Sequence, residues 1–88
     1  MELNRKPVRE IRWGDVLATV WANRMVGRCD WYSVTISRRY RKDRRWHYTS
    51  SLRYRDLMNA RRVARGAHLW IWWNDPRSVR RFWWFWRK

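Results

Sequence analysis

The chain has 88 residues, enough for one domain with a thin core. Its 22 lysines and arginines stand against 7 acidic residues, and the resulting charge of +15 repels itself unless something anionic neutralises it. That balance disfavours acidic ligands least and basic ones most, pointing to nucleic acid first and to an anionic membrane surface second.

Cys29 is the only cysteine, which excludes an internal disulfide. The chain therefore reads as a reduced, cytoplasmic protein, with Cys29 a small half-buried apolar residue. The opening residues 1–7 lack the apolar stretch of a signal peptide. The apolar runs 69–73 and 82–86 are far shorter than the roughly 20 residues that cross a bilayer.

The pattern of the chain predicts an α+β fold: a four-stranded antiparallel β-meander followed by one C-terminal helix, with a Trp/Arg-rich tail. The meander and helix occupy 1–74 and the tail 75–88. Pro7 closes a polar leader, and residues 8–13 are rich in β-formers but alternate poorly, as expected of an edge strand. Gly14-Asp15 suits a two-residue hairpin turn in which glycine takes a positive φ. The second strand, 15–23, sets Val16, Ala18 and Val20 on one face and Leu17, Thr19 and Trp21 on the other. Both faces are fairly apolar, so this strand is central.

Residues 23–30 form a loop around Gly27. The third strand, 31–40, alternates cleanly, with Tyr32, Val34 and Ile36 toward the core and Ser33, Thr35 and Ser37 on an open face. The fourth, 46–52, repeats that pattern and adds His47, Thr49 and Ser51 to the open face. From Asp56 the period changes to three-and-four: Leu57, Ala60, Ala64, Ala67 and Ile71, with Val63 and Trp70 beside them, make one apolar helical stripe ending near Asn74. Asp56 is the expected N-cap, its carboxylate accepting first-turn amides. The small residues of the stripe allow close helix contact, which implies a homodimer.

The segment joining the third and fourth strands carries the functional signal. Arg38, Arg39, Arg41, Lys42, Arg44 and Arg45 supply cations for phosphates, and Arg53 and Arg55 extend the basic edge. Tyr40, Trp46 and Tyr48 are the candidate stacking platforms. For Trp46 and Tyr48 a second reading stays open, as core residues sharing parity with Leu52; Tyr40 is equally divided between the two roles. Trp13, Trp21 and Trp31 read first as packing residues, with an exposed stacking role as the alternative for each. His47 and His68 have no partners at ligand spacing, so no metal is expected. No nucleophile elbow, paired carboxylates or glycine-rich phosphate loop is present, so neither enzymatic activity nor a cofactor is expected.

The order of four strands and a helix, with the segment Tyr32-Ser33-Val34-Thr35-Ile36-Ser37-Arg38-Arg39-Tyr40, resembles the single-stranded-DNA-binding domain of the transcriptional coactivator and Whirly families. Arg44-Arg45-Trp46 stands where those families have a glycine-and-lysine-rich turn. The resemblance covers residues 8–73 and implies a unit that dimerises through its helix and lays curved sheets on unpaired strands. The tail residues Arg80, Arg81, Phe82, Trp83, Trp84, Phe85, Trp86 and Arg87 resemble the Trp- and Arg-rich antimicrobial peptides. That likeness implies an anionic membrane surface, while the same composition also suits nucleic acid, packing on the domain, or a larger complex. The chain thus reads as a nucleic-acid-binding module, favouring single strands, with an accessory subunit held by its tail as the alternative.

Overall fold

A computed structural model describes residues 3–27 and 30–75; the expectations for Cys29 and for Arg80, Arg81, Trp83, Trp84 and Trp86 of the tail fall outside the described residues. Four strands, β1 (Leu3–Trp13), β2 (Val16–Met25), β3 (Trp31–Lys42) and β4 (Arg45–Thr49), form one antiparallel sheet in the order β1-β2-β3-β4. A single 3-10 turn (Tyr54–Asp56) leads into α1 (Leu57–Asn74), which packs on one face of the sheet. The fold is therefore the α+β meander-plus-helix that the alternation pattern predicts.

β1 is longer than its pattern suggests and includes Pro7. A β-bulge sits between Pro7 and Arg9, leaving Val8 as the extra residue in the register. The bulge explains the poor alternation, because it lets Val8 pack on the core beside Ile11. Proline is tolerated there because β1 is an edge strand with one free side. At the β1–β2 turn Gly14 has φ 59, as its place in a two-residue hairpin requires.

Alternation divides β2 between the two faces. Val16, Ala18 and Val20 are fully buried and meet Val63 and Ala67 of α1, with Ile11, Tyr32, Ile36, Leu52, Ala60, Trp70 and Ile71 packed around them. Burial of each such valine stabilises the fold by about 1.5–3 kcal/mol, so this small cluster holds the helix to the sheet. Gly66 marks a close approach: a Cβ there would stand 3.2 Å from Ile11 Cγ2. The helical stripe is rotated from its expected centre. Val63 and Ala67 are its buried line, whereas Ala64 is exposed and Leu57 is 52% exposed. The residues facing the sheet must be small where the backbones come close, and sequence spacing alone did not separate them from their flank. Of the small residues in the stripe, Ala60 and Ala67 pack within this chain's own core, while Ala64 stays exposed.

The helix start also differs from expectation. Asp56 is in the N-cap position but makes no side-chain cap bond to the first turn. Its Oδ2 instead accepts from the backbone N–H of Arg53 (3.0 Å) and from Arg53 Nε (3.0 Å), and lies 3.4 Å from Arg38 Nε. Two guanidinium groups outcompete uncharged amides for a carboxylate, so the residue ties β3 to the helix start. The Arg53 side-chain hydrogen bond, helped by the Arg53 N–H and the charges of Arg53 and Arg38, holds the Asp56 carboxyl below its ordinary range, against the opposing pull of burial.

Candidate nucleic-acid interface

The hairpin joining β3 to β4 is tighter than its sequence suggests. Lys42 pairs with Arg45, so only Asp43 and Arg44 form the loop, with φ values of 53 and 65. Two successive positive φ values are the mark of a type I′ turn, whose twist matches the strands but which ordinarily takes Asn-Gly or Asp-Gly. The tight turn sets the parity of β4. Arg41 stands opposite Trp46 and Arg39 opposite Tyr48, while Tyr40 faces His47 and Arg38 faces Thr49. Opposed residues share a face. Trp46 and Tyr48 consequently lie on the open face, 50% and 64% exposed. The expectation that His47, Thr49 and Ser51 line that face is overturned: His47 and Thr49 take the helix side, and Ser51 lies beyond the strand end at Thr49. Leu52 does reach the core, but only after the chain has left the strand, so it carries no parity information.

The open face pairs aromatic rings with guanidinium groups. Arg39 lies 4.4 Å and Arg41 6.0 Å from the centre of the Trp46 ring. Arg39 is also 3.5 Å from Asp15, yet its buried Nε makes no hydrogen bond. At the other end of the same face Arg5 stands 4.2 Å over Trp21, whose Nε1 donates to Thr35 Oγ1 at 2.9 Å. Strand parity adds Arg12 and Trp31 to this surface, through their pairing with Leu17 and Asn23. Asn23 is buried here and fixes the floor, its Nδ2 donating to Ser33 Oγ (2.9 Å) and to the carbonyls of Trp31 (3.2 Å) and Trp21 (3.3 Å). Arg5, Asn23, Lys6 and Arg24 line a cleft of about 560 Å³ at this end of the sheet.

The structure brings together some of the expected site residues and separates others. Arg39, Arg41, Trp46 and Tyr48 converge on the open face. Arg44 is at the hairpin tip. Tyr40 stacks on His47 at 5.3 Å on the helix side, the side that Lys42 and Arg45 share by register. Arg38 is mostly buried, donating to the Ser51 carbonyl and pairing with Asp56. Arg53 is held by the same carboxylate, and Arg55 is exposed in the 3-10 turn. Arg5 and Arg12 were not singled out by sequence reasoning as binding residues, and for Trp21 and Trp31 stacking was only the alternative to packing. The signal was present, because Trp21 has the parity of Thr19 and pairs across to the serine-threonine set of β3. Trp13, read as packing, is 50% exposed and lies 5.0 Å under the Arg62 guanidinium at the helix flank.

Among the described residues, no helix is long and apolar enough to cross a membrane. No protein-family model matches the chain, and neither the curated proteins nor the solved structures contain a match to it.

Proposed function

We propose that this chain is a cytoplasmic nucleic-acid-binding module, without enzymatic activity, that takes single strands of DNA or RNA across its open sheet face with little sequence preference. The observation that supports the reading is the pairing of aromatic rings with guanidinium groups on that face: Arg39 and Arg41 at Trp46, Arg5 at Trp21. A base stacks on an indole whatever its identity, and an arginine beside the ring reaches the adjoining phosphate. A duplex would not offer unstacked bases to such rings, which favours single strands. The hairpin-tip Arg44 extends the charged track at one end and Arg5, opposite Asn23, at the other.

A second reading has one observation in its favour. The outward side of α1 carries Met58, Leu69 and Trp73, all about half exposed or more, among Arg61, Arg62 and Arg65. That mixture also suits the interface of an anionic membrane, or of a larger complex, and the Trp-rich tail would add to it.

Fluorescence anisotropy of labelled single-stranded oligonucleotides, titrated with the full chain at two salt concentrations, tests the first reading. Four phosphate contacts give a salt slope of about −3, so a fourfold rise in salt lowers affinity by about fifty-fold. The Trp46→Ala variant is expected to lose about 1–3 kcal/mol of binding, roughly 5- to 150-fold, with an unchanged circular dichroism spectrum. Salt-independent affinity, or an undiminished Trp46→Ala complex, would reject the site. Cosedimentation of the protein with anionic liposomes at the higher salt would favour the second reading.

A further inference from the structure

β4 is too short to cover β3. It pairs with residues 38–42 only, so residues 31–37 of the twelve-residue β3 have no strand on that side among the described residues. The chain leaves the sheet after Thr49, and Ser51 bends back to accept from Arg38. The direction of the free backbone groups follows from the register. The N–H of Arg39 donates to Asp15 of the β1–β2 turn at 2.8 Å, so odd-numbered β3 residues point their backbone at β2. Tyr32, Val34 and Ile36 therefore aim N–H and C=O outward along the uncovered edge.

Proteins blunt strand edges with charge, proline, bulges or shortness. The two formal edges of this sheet are protected in those ways. β1 carries Arg5, Lys6, Arg9 and Arg12, a proline and a bulge, and β4 is five residues long with Arg45 at its start. The uncovered half of β3 has none of these devices. Trp31-Tyr32-Ser33-Val34-Thr35-Ile36-Ser37 has no charged residue and no proline, in a chain of +15. Val34 on its helix side is 38% exposed.

The neighbouring flank of α1 is apolar as well. Gly66 against Ile11 and Arg62 against Trp13 place that side of the helix over β1. The opposite side carries Leu57, Ala64 and Ile71, one below another at two-turn spacing. Of these, Leu57 and Ala64 are exposed, while Ile71 is half-buried against the core.

We propose that this edge pairs with the same edge of a second copy of the chain, antiparallel about Val34. Val34 then faces Val34 of the second copy, and Tyr32 faces Ile36, each pair exchanging two backbone hydrogen bonds. A second copy fits where a cationic partner segment would not, because this uncharged stretch lets two strongly basic chains meet without opposing charges at the contact. The two-fold axis stands perpendicular to the sheet, so both helices lie on one side and both open faces on the other. Two Trp21–Trp31 surfaces thereby join into one platform. The pairing itself stands independently of the nucleic-acid reading; only the longer platform rests on it.

Analytical ultracentrifugation of the full chain at about 0.5 M salt, where the Debye length is only about 4 Å and repulsion between copies is screened, tests the pairing. A sedimenting mass twice that of the chain is expected, falling to a single chain in V34K, which sets two cations face to face, and in V34P, which removes the outward N–H while sparing the bonds to β2. Should V34P fail to fold, V34K and hydrogen exchange at Tyr32, Val34 and Ile36 keep the test decisive: these amides are protected in the dimer and exchange fast in V34K. A wild-type chain that stays monomeric, or a dimer that both variants retain, overturns the proposal. Failure of the nucleic-acid reading is seen separately, because oligonucleotide binding weakens with salt whereas this association strengthens.

Discussion

The two faces of this sheet are made by the same strands and have opposite chemistry. On the helix side β2 contributes Val16, Ala18 and Val20, all fully buried, and on the other it contributes Thr19 and Trp21, which share a hydrogen-bonded surface with Thr35 of β3. The helix face has one satisfied partner, α1. The open face keeps its rings and guanidinium groups together without a covering element among the described residues. A domain this small cannot spend aromatic residues on its surface without leaving a thin core, and among the described residues the buried cluster between sheet and helix has five members, none larger than valine. The contrast teaches that the tryptophans of the described domain serve the surface and the rim, while its stability rests on small side chains in close contact.

The first way to break the contrast is to charge the thin face. Val63→Asp places a carboxylate at a position with no exposure, beside Val16 and Val20, in a cluster that holds no cation among the described residues. Loss of the folded state is expected, read as collapse of the helical circular dichroism signal at 25 °C and disappearance of a thermal transition. A folded Val63→Asp chain would mean that the core described above is not what holds α1 to the sheet.

A smaller effect sharpens the comparison at the one place where a charged group supports the helix face. Because the Asp56 carboxyl titrates below its ordinary value in the folded chain, its contribution is present above the unfolded-state value and is lost as pH falls through the folded one. Stability to urea is therefore expected to drop below about pH 4 and to be flat in pH above it, as far as this group is concerned. In Asp56→Asn the acid-side drop should shrink, with lower stability at pH 7, since Arg38 and Arg53 lose their common partner. Equal pH profiles for the two proteins would detach Asp56 from stability.

Much of this was legible in the sequence. The helix bounds, the glycine turn, the central position of β2 and the core parity of Tyr32 and Ile36 follow from periods of two and 3.6 and from one glycine. The face of β4 was not legible, and the reason is specific. Side-chain direction in a strand is counted from the turn, and a turn of two residues or of five gives opposite answers. The stretch from Arg41 to Arg45 contains no glycine to announce a type I′ loop, so its tightness was hidden, and Leu52 misled because it enters the core from beyond the strand. The ion pairs of Asp56 were also hidden, since Arg38 is indistinguishable in sequence from the arginines beside it. Only the register places it across from Thr49, on the helix side and within reach of the helix start.

The smallest expected effect probes that same turn. Arg44 occupies the left-handed region, φ 65, at the loop position that ordinarily takes glycine. An L residue there costs roughly 1–2 kcal/mol, whereas glycine avoids that strain but adds about 0.4–1 kcal/mol of unfolded-state entropy. Arg44→Gly is therefore expected to stabilise the fold by about 0.5–1 kcal/mol, read as a raised urea midpoint with an unchanged slope. Its effect on oligonucleotide binding should run the other way: one lost phosphate contact weakens affinity a few-fold and reduces the salt slope by about 0.7. Opposite shifts in the two measurements would show that backbone strain at the hairpin tip is retained for the charge it presents. A gain in stability with no loss of affinity would confine the phosphate contacts to the open face, around Arg39 and Arg41. A loss of stability would mean that the Arg44 side chain itself supports the turn, and the hairpin tip would belong to the fold and not to the binding surface.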